Sequence, residues 1–239
     1  HRDLHSFPTR RSSDLVIGME RLDKDEHPSL EKLFIDTGAT SKTDSKIGVG
    51  DVAGFERPFV NLGKRLVAKS MDDRAAVAVA IEALKAIKKS PNEIYFVFSV
   101  QEEVGLRGAI TAAYGVDPEV GIAVDVTRTG DTPKGVKMEV TLGKGPAIKV
   151  RDSSFIADPR VVNWMVDEAK AQNLPYQMEV LEAGGTDGAA IQRTRAGVPA
   201  GCLSIPCRYI HSPSEMVDAD DLQHCVSLLA GLLSKEIGI

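Results

Sequence analysis

The residues best able to do chemistry in this chain are carboxylates placed just beyond apolar, strand-like runs. Gln101-Glu102-Glu103 follows IYFVFSV and precedes a Gly-containing loop over residues 104–108. Asp125 closes GIAVD, and the pair Asp72-Asp73 precedes a stretch of helical period that opens near Arg74. His211, in Ile210-His211-Ser212-Pro213, stands in the loop before the last helix. Each has an ordinary explanation when taken alone. Adjacent glutamates are commonly solvated surface, Asp73 suits a helix cap, Asp125 suits a loop, and a lone histidine is usually a simple hydrogen-bonding group. Together, Asp72, Glu103, Asp125 and His211 form a carboxylate-rich, single-imidazole set. Oxygen plus nitrogen ligation suits zinc, cobalt or manganese, and several carboxylates favour two metals sharing a bridge. The spacing is nonlocal, so these residues by themselves define a candidate metal site and no reaction.

The elements that must position them can be read from hydrophobic period. Residues 16–65 are short β-like pieces punctuated by Gly and Asp, which predicts part of a small β domain. From Asp73 to Lys88, apolar residues recur at helical spacing, and Glu93 to Val100 is an uninterrupted β-rich run. The alternation continues with strands over 120–126, 176–181 and 198–205 and helices over 159–172, 187–195 and 219–235. Asp218 is the expected N-cap of the last helix. Largely apolar strands that alternate with helices predict an α/β fold, a mixed, largely parallel sheet flanked by helices. In such sheets, functional groups collect beyond the carboxyl ends of strands, where the acidic clusters fall.

Composition narrows the function classes. The 239 residues carry a net charge of −5, which disfavours a nucleic-acid partner. No apolar run reaches the roughly 18–20 residues of a membrane span. Three cysteines, Cys202, Cys207 and Cys225, make neither an even disulfide set nor a zinc spacing, so the expected location is a reducing cytoplasm. Residues 1–15, HRDLHSFPTRRSSDL, have no apolar core and no period; they read as a foreign segment outside the fold.

The motifs KSMDDRAA, QEEVGLRGA, AVDVTRTGDTPK, GGTDGAAIQRTRAGVP and IPCRYIHSPSEM, in that order, resemble the tetrahedral or glutamyl aminopeptidase family of dinuclear metallopeptidases. The resemblance runs from about Val16 to the end. It implies a zinc-peptidase-like catalytic domain over 66–239, with 16–65 part of a small inserted β domain. It further implies that Asp72 bridges two metals, that Glu103 and His211 complete one site, and that Asp125 serves the other. Glu102 would be the general base, activating a water shared by two zinc or cobalt ions and passing its proton to the leaving amine. Asp73 would fix the geometry of Asp72. Gly185, Thr186 and Asp187 would lie on a loop beside a peptide substrate; at Gly188 the family more often has Ala.

The family's second site also takes a histidine from an HxDE-like motif, and this sequence has none. His1 and His5 lie in the foreign-looking segment, and His27 is in the wrong context. The expectation is therefore a chain that begins partway through the inserted domain, with one well-formed metal site. Family members are homo-oligomers that assemble through that inserted domain, an expectation not carried over to this chain. The alternatives are a related dinuclear hydrolase of the kind labelled endoglucanase or deacylase, and an inactive metal-binding or assembly fragment.

Overall fold

The computed structural model describes residues 15–45 and 47–239. The foreign-looking segment, with His1 and His5, lies outside the described residues except for Leu15. The chain divides between Gly54 and Phe55 into two compact units. In the smaller, β1 (Val16–Met19) and β2 (Leu33–Asp36) form an antiparallel pair with Val16 opposite Asp36.

The larger unit is a mixed α/β structure. Its strands are β3 (Val60–Asn61), β4 (Arg65–Ala68), β5 (Gly121–Thr127), β6 (Ala147–Arg151), β7 (Gln177–Val180), β8 (Ala200–Arg208) and β9 (Glu215–Asp218). Their order is β3-β4-β9-β8-β6-β7, and β5 pairs with β8. Parallel pairing joins β5 to β8 and β6 to β7, which makes the sheet mixed, as expected. The remaining pairings are antiparallel; of these, β3–β4 and β8–β9 are joined by connections too short for a crossover.

Five helices cover the sheet: α1 (Met71–Ala86), α2 (Arg107–Val116), α3 (Pro159–Ala171), α4 (Gly188–Gln192) and α5 (Ala219–Leu233). α1 and α3 both pack on α5, whereas α2 packs on α4. Between α1, α3, α5 and the sheet lies a core containing Val79, Ala83, Met165, Leu203, Ile205 and Leu228, all essentially inaccessible to solvent. Full burial of each large aliphatic among them is worth about 1.5–3 kcal/mol. Asp218 caps α5 as its sequence predicts, accepting from the amides of Asp220 and Asp221.

One expected element is absent. The run from Glu93 to Val100 has no regular secondary structure, among the described residues no strand pairs with it, and Tyr95, Val97, Phe98 and Val100 are about half exposed or more. Apolar β-formers make a strand only where a neighbouring edge satisfies their backbone. The three cysteines are free and buried, as their apolar surroundings suggest.

Candidate metal centre

Each acidic cluster is aimed by a local device. Ser70, with φ +57, turns the chain from β4 into α1, and the first residues, Asp72 and Asp73, are not yet helical. Asp73 Oδ1 accepts from Ala76 N at 3.2 Å and so caps the regular part of the helix, leaving Asp72 outside it. Glu102 and Glu103 ride on a tight turn. Gly105 N and Leu106 N both donate to the Glu102 carbonyl, at 3.0 and 2.9 Å, and Gly108 N donates to Val100 O. A Cβ at Gly108 would lie 2.4 Å from Val100 N, so only glycine allows this close return of α2 onto the preceding segment. His211, with φ +64, occupies the loop between β8 and β9.

These devices bring three predicted residues together. His211 Nε2 lies 3.1 Å from Asp72 Oδ2 and 3.3 Å from Glu103 Oε2. The three donor atoms are all within 4.8 Å of one another, the one such group found among the described residues. Asp72 is largely buried, while the Glu103 and His211 side chains are about half exposed, so the group opens to solvent on one side.

Asp125 lies inside β5, two residues before its end and opposite Ser204 of β8, so the strand runs past the GIAVD segment expected to close it; its carboxylate accepts from its own neighbour's amide, Val126 N, at 2.7 Å. It does not join the three-donor group, yet burial, together with the charges of Glu102 and Asp72, pushes its carboxyl well up. Burial and then the carboxylate of Asp187 raise Glu102 to about 7. Burial, followed by repulsion from Glu103, raises Asp72 to about 7; burial and Asp125 raise Asp73 to about 10. The predicted acidic residues therefore sit in one electrostatic neighbourhood, in which negative charge is expensive until a cation offsets it.

The GGTDG segment borders this neighbourhood through Asp187, whose Oδ2 accepts from Ser99 Oγ at 2.5 Å and whose Oδ1 is buried without a partner. Thr186 is buried and its hydroxyl accepts from Gly188 N, while Ser153 Oγ, donating to Gly184 O, ties down the turn before Gly185. At Gly188 a Cβ would meet the Phe155 ring at 3.1 Å, so the buried phenyl occupies the space of a side chain there.

Two groups that sequence reasoning passed over also shape the site. Glu215, buried at the start of β9, accepts from the backbone amides of both Asp72 and His211. Asp131 and Arg208 form a two-point ion pair, with Arg208 Nη2 2.7 Å and Nε 3.1 Å from the carboxylate. The pair ties the loop after Asp125 to the strand end before His211. Although burial opposes it, the Arg208 bond, helped by the Leu142 amide, holds the Asp131 carboxyl down to about 2. A folded-state pKa below the unfolded one adds stability above the unfolded value and loses it as pH falls through the folded value. Asp131→Asn is thus expected to cost about 1–2 kcal/mol at pH 7. The deficit should shrink as pH falls from about 4 towards 2, as read by denaturant unfolding across that range.

The family model described as M42 glutamyl aminopeptidase matches residues 16–228. A putative aminopeptidase of Acetivibrio thermocellus is 49% identical over 212 residues, covering 88% of this chain and 64% of that protein. Among solved structures, an aminopeptidase from the archaeon Desulfurococcus kamchatkensis superposes with a TM-score of 0.88 at 42% identity, covering 92% of this chain and 64% of its own. The Pyrococcus horikoshii TET1 peptidase, which can assemble into a tetrahedron or a large octahedral shell, superposes with a TM-score of 0.74 at 33% identity. That likeness covers 87% of this chain and 66% of the peptidase. The chain thus spans less than two thirds of the length of the Acetivibrio and Desulfurococcus proteins.

Proposed function

We propose, for a chain that belongs to the M42 glutamyl aminopeptidase family, that its larger unit is catalytic and that Asp72, Glu103 and His211 hold a divalent metal ion used to remove amino-terminal residues from peptides. The observation that carries this reading is the approach of three donor atoms to within 4.8 Å of one another. The donor set fits the ion: one imidazole and two carboxylates suit a borderline cation such as zinc or cobalt, and a three-ligand site leaves a position open. When bound, such a cation polarises a carbonyl and stabilises the charge that develops on it.

The chain's own residues supply the rest. Glu102 takes the proton of the attacking water and returns it to the leaving amine. Asp73 holds the turn that presents Asp72, and in the parent protein Asp125 would support a second ion. Gly185, Thr186 and Asp187 border the substrate, whose free ammonium group is drawn to the surrounding carboxylates. Residues 16–65 correspond to part of an inserted β domain and 66–239 to the catalytic one. A cytoplasmic location and assembly of the parent protein as a homo-oligomer belong to the same reading; among the described residues no helix is long and apolar enough to cross a membrane.

With zinc or cobalt added, the parent protein is expected to hydrolyse an aminoacyl-anilide with a free amino group, and this chain, with one well-formed metal site, weakly or not at all. The N-acetylated anilide and cellulose should be left intact, and a chelator should remove the activity. Turnover of the blocked substrate at the same rate, or of cellulose instead, would overturn the aminopeptidase reading in favour of another hydrolase.

A further inference from the structure

The β4–β9 pairing sets Glu215 opposite Ala68, four residues before Asp72 in sequence and four after His211. Its carboxylate is 3% exposed. One oxygen, Oε2, accepts from Asp72 N at 3.0 Å, and the other, Oε1, accepts from His211 N at 2.9 Å. The two residues it joins are far apart in sequence and stand on irregular backbone, Asp72 ahead of the regular helix and His211 at φ +64. Neither amide therefore has the partner that a helix or a ladder would supply.

We propose that Glu215 is a positioning residue that holds Asp72 and His211 at the spacing a metal ion requires. The role rests on the metal-site reading above. A carboxylate can accept from both amides at once, whereas an amide side chain presents one acceptor and one donor. Gln at this position would therefore turn an N–H towards one backbone N–H and release it. Groups that orient metal ligands from behind typically change metal affinity by about 10–100-fold when replaced.

The test uses the full chain and zinc alone. Affinity is measured by competition with a chromophoric chelator, for the unsubstituted chain, Glu215→Gln and Glu215→Asp. Amide hydrogen exchange is followed at Asp72 and His211 without metal. The expected result for Glu215→Gln is zinc affinity lower by about tenfold or more, with at least one of the two amides exchanging about tenfold faster. A role confined to stability would lower the melting temperature and leave the affinity of the folded protein unchanged. Zinc binding within twofold of the unsubstituted chain, with both amides still protected, would overturn the positioning role alone. An unsubstituted chain that binds no zinc would overturn the metal reading and this role with it. Should Glu215→Gln fail to fold, Glu215→Asp decides, since it keeps the charge but is too short to reach both amides.

Discussion

Glu102→Gln is expected to lower peptide hydrolysis by about 10²- to 10⁴-fold while leaving the bound metal in place. The substitution keeps the size and the turn, because that turn is held by the Glu102 carbonyl and not by its side chain. What it removes is a carboxylate standing among Asp187, Glu103 and Asp72, outside the three-donor group. A side chain that only filled space there would cost little when replaced by its amide. Steady-state rates together with metal content separate the possibilities: near-normal turnover would refute the assignment of Glu102 as the base, and loss of metal would make it a ligand.

The second large effect concerns the donors. His211→Ala and Asp72→Asn are each expected to lower zinc affinity by more than about 100-fold, since either leaves only two of three donors. Their effects on the metal-free chain should differ in kind. Asp72 is a buried carboxylate beside Glu103 whose pKa is raised to about 7. Stability carried by a raised carboxyl is present below its unfolded pKa and is lost as pH rises through the folded one. Above about pH 7, Asp72→Asn should therefore raise the melting temperature of the metal-free protein even as it removes the metal. His211→Ala takes away a neighbour of both carboxylates and should lower it. Thermal unfolding at pH 8 with and without zinc reads both signs, and a destabilised metal-free Asp72→Asn would show that Asp72 is there for the fold.

Where sequence reading reached, and where it stopped, follows from the physics of particular residues. α1, α3 and α5 carry apolar stripes on one face and could be placed from their period; β5 and β8 are largely apolar runs between turns, and β7 falls within the run read over 176–181 despite Gln177 and Glu179. β6 and β9 hide because they bury charge. β6 contains Lys149, buried against Glu179 at 2.5 Å, and β9 contains Glu215 and Asp218, so neither reads as an apolar strand. α2 hides behind a left-handed Leu106 and an early Gly108. The run 93–100 erred in the opposite direction, having the composition of a strand without a partner.

Asp72, Glu103 and His211 were legible as candidates because acidic and imidazole groups at strand ends stand out against apolar surroundings. Their convergence was implied by the family resemblance and by nothing in their spacing, because it depends on the β8–β9 turn, the β4–β9 register and the glycine return at Gly108. Glu215 gave no local signal: a glutamate after Ser-Pro-Ser reads as loop surface until the two amides it serves are seen in space.

The central claim is that Asp72, Glu103 and His211 hold a metal ion, and elemental analysis of the purified, zinc-loaded and dialysed chain tests it most directly. About one zinc per chain is expected, lost in Asp72→Asn and in His211→Ala. A chain that retains no zinc, or one whose zinc content neither substitution changes, would contradict it.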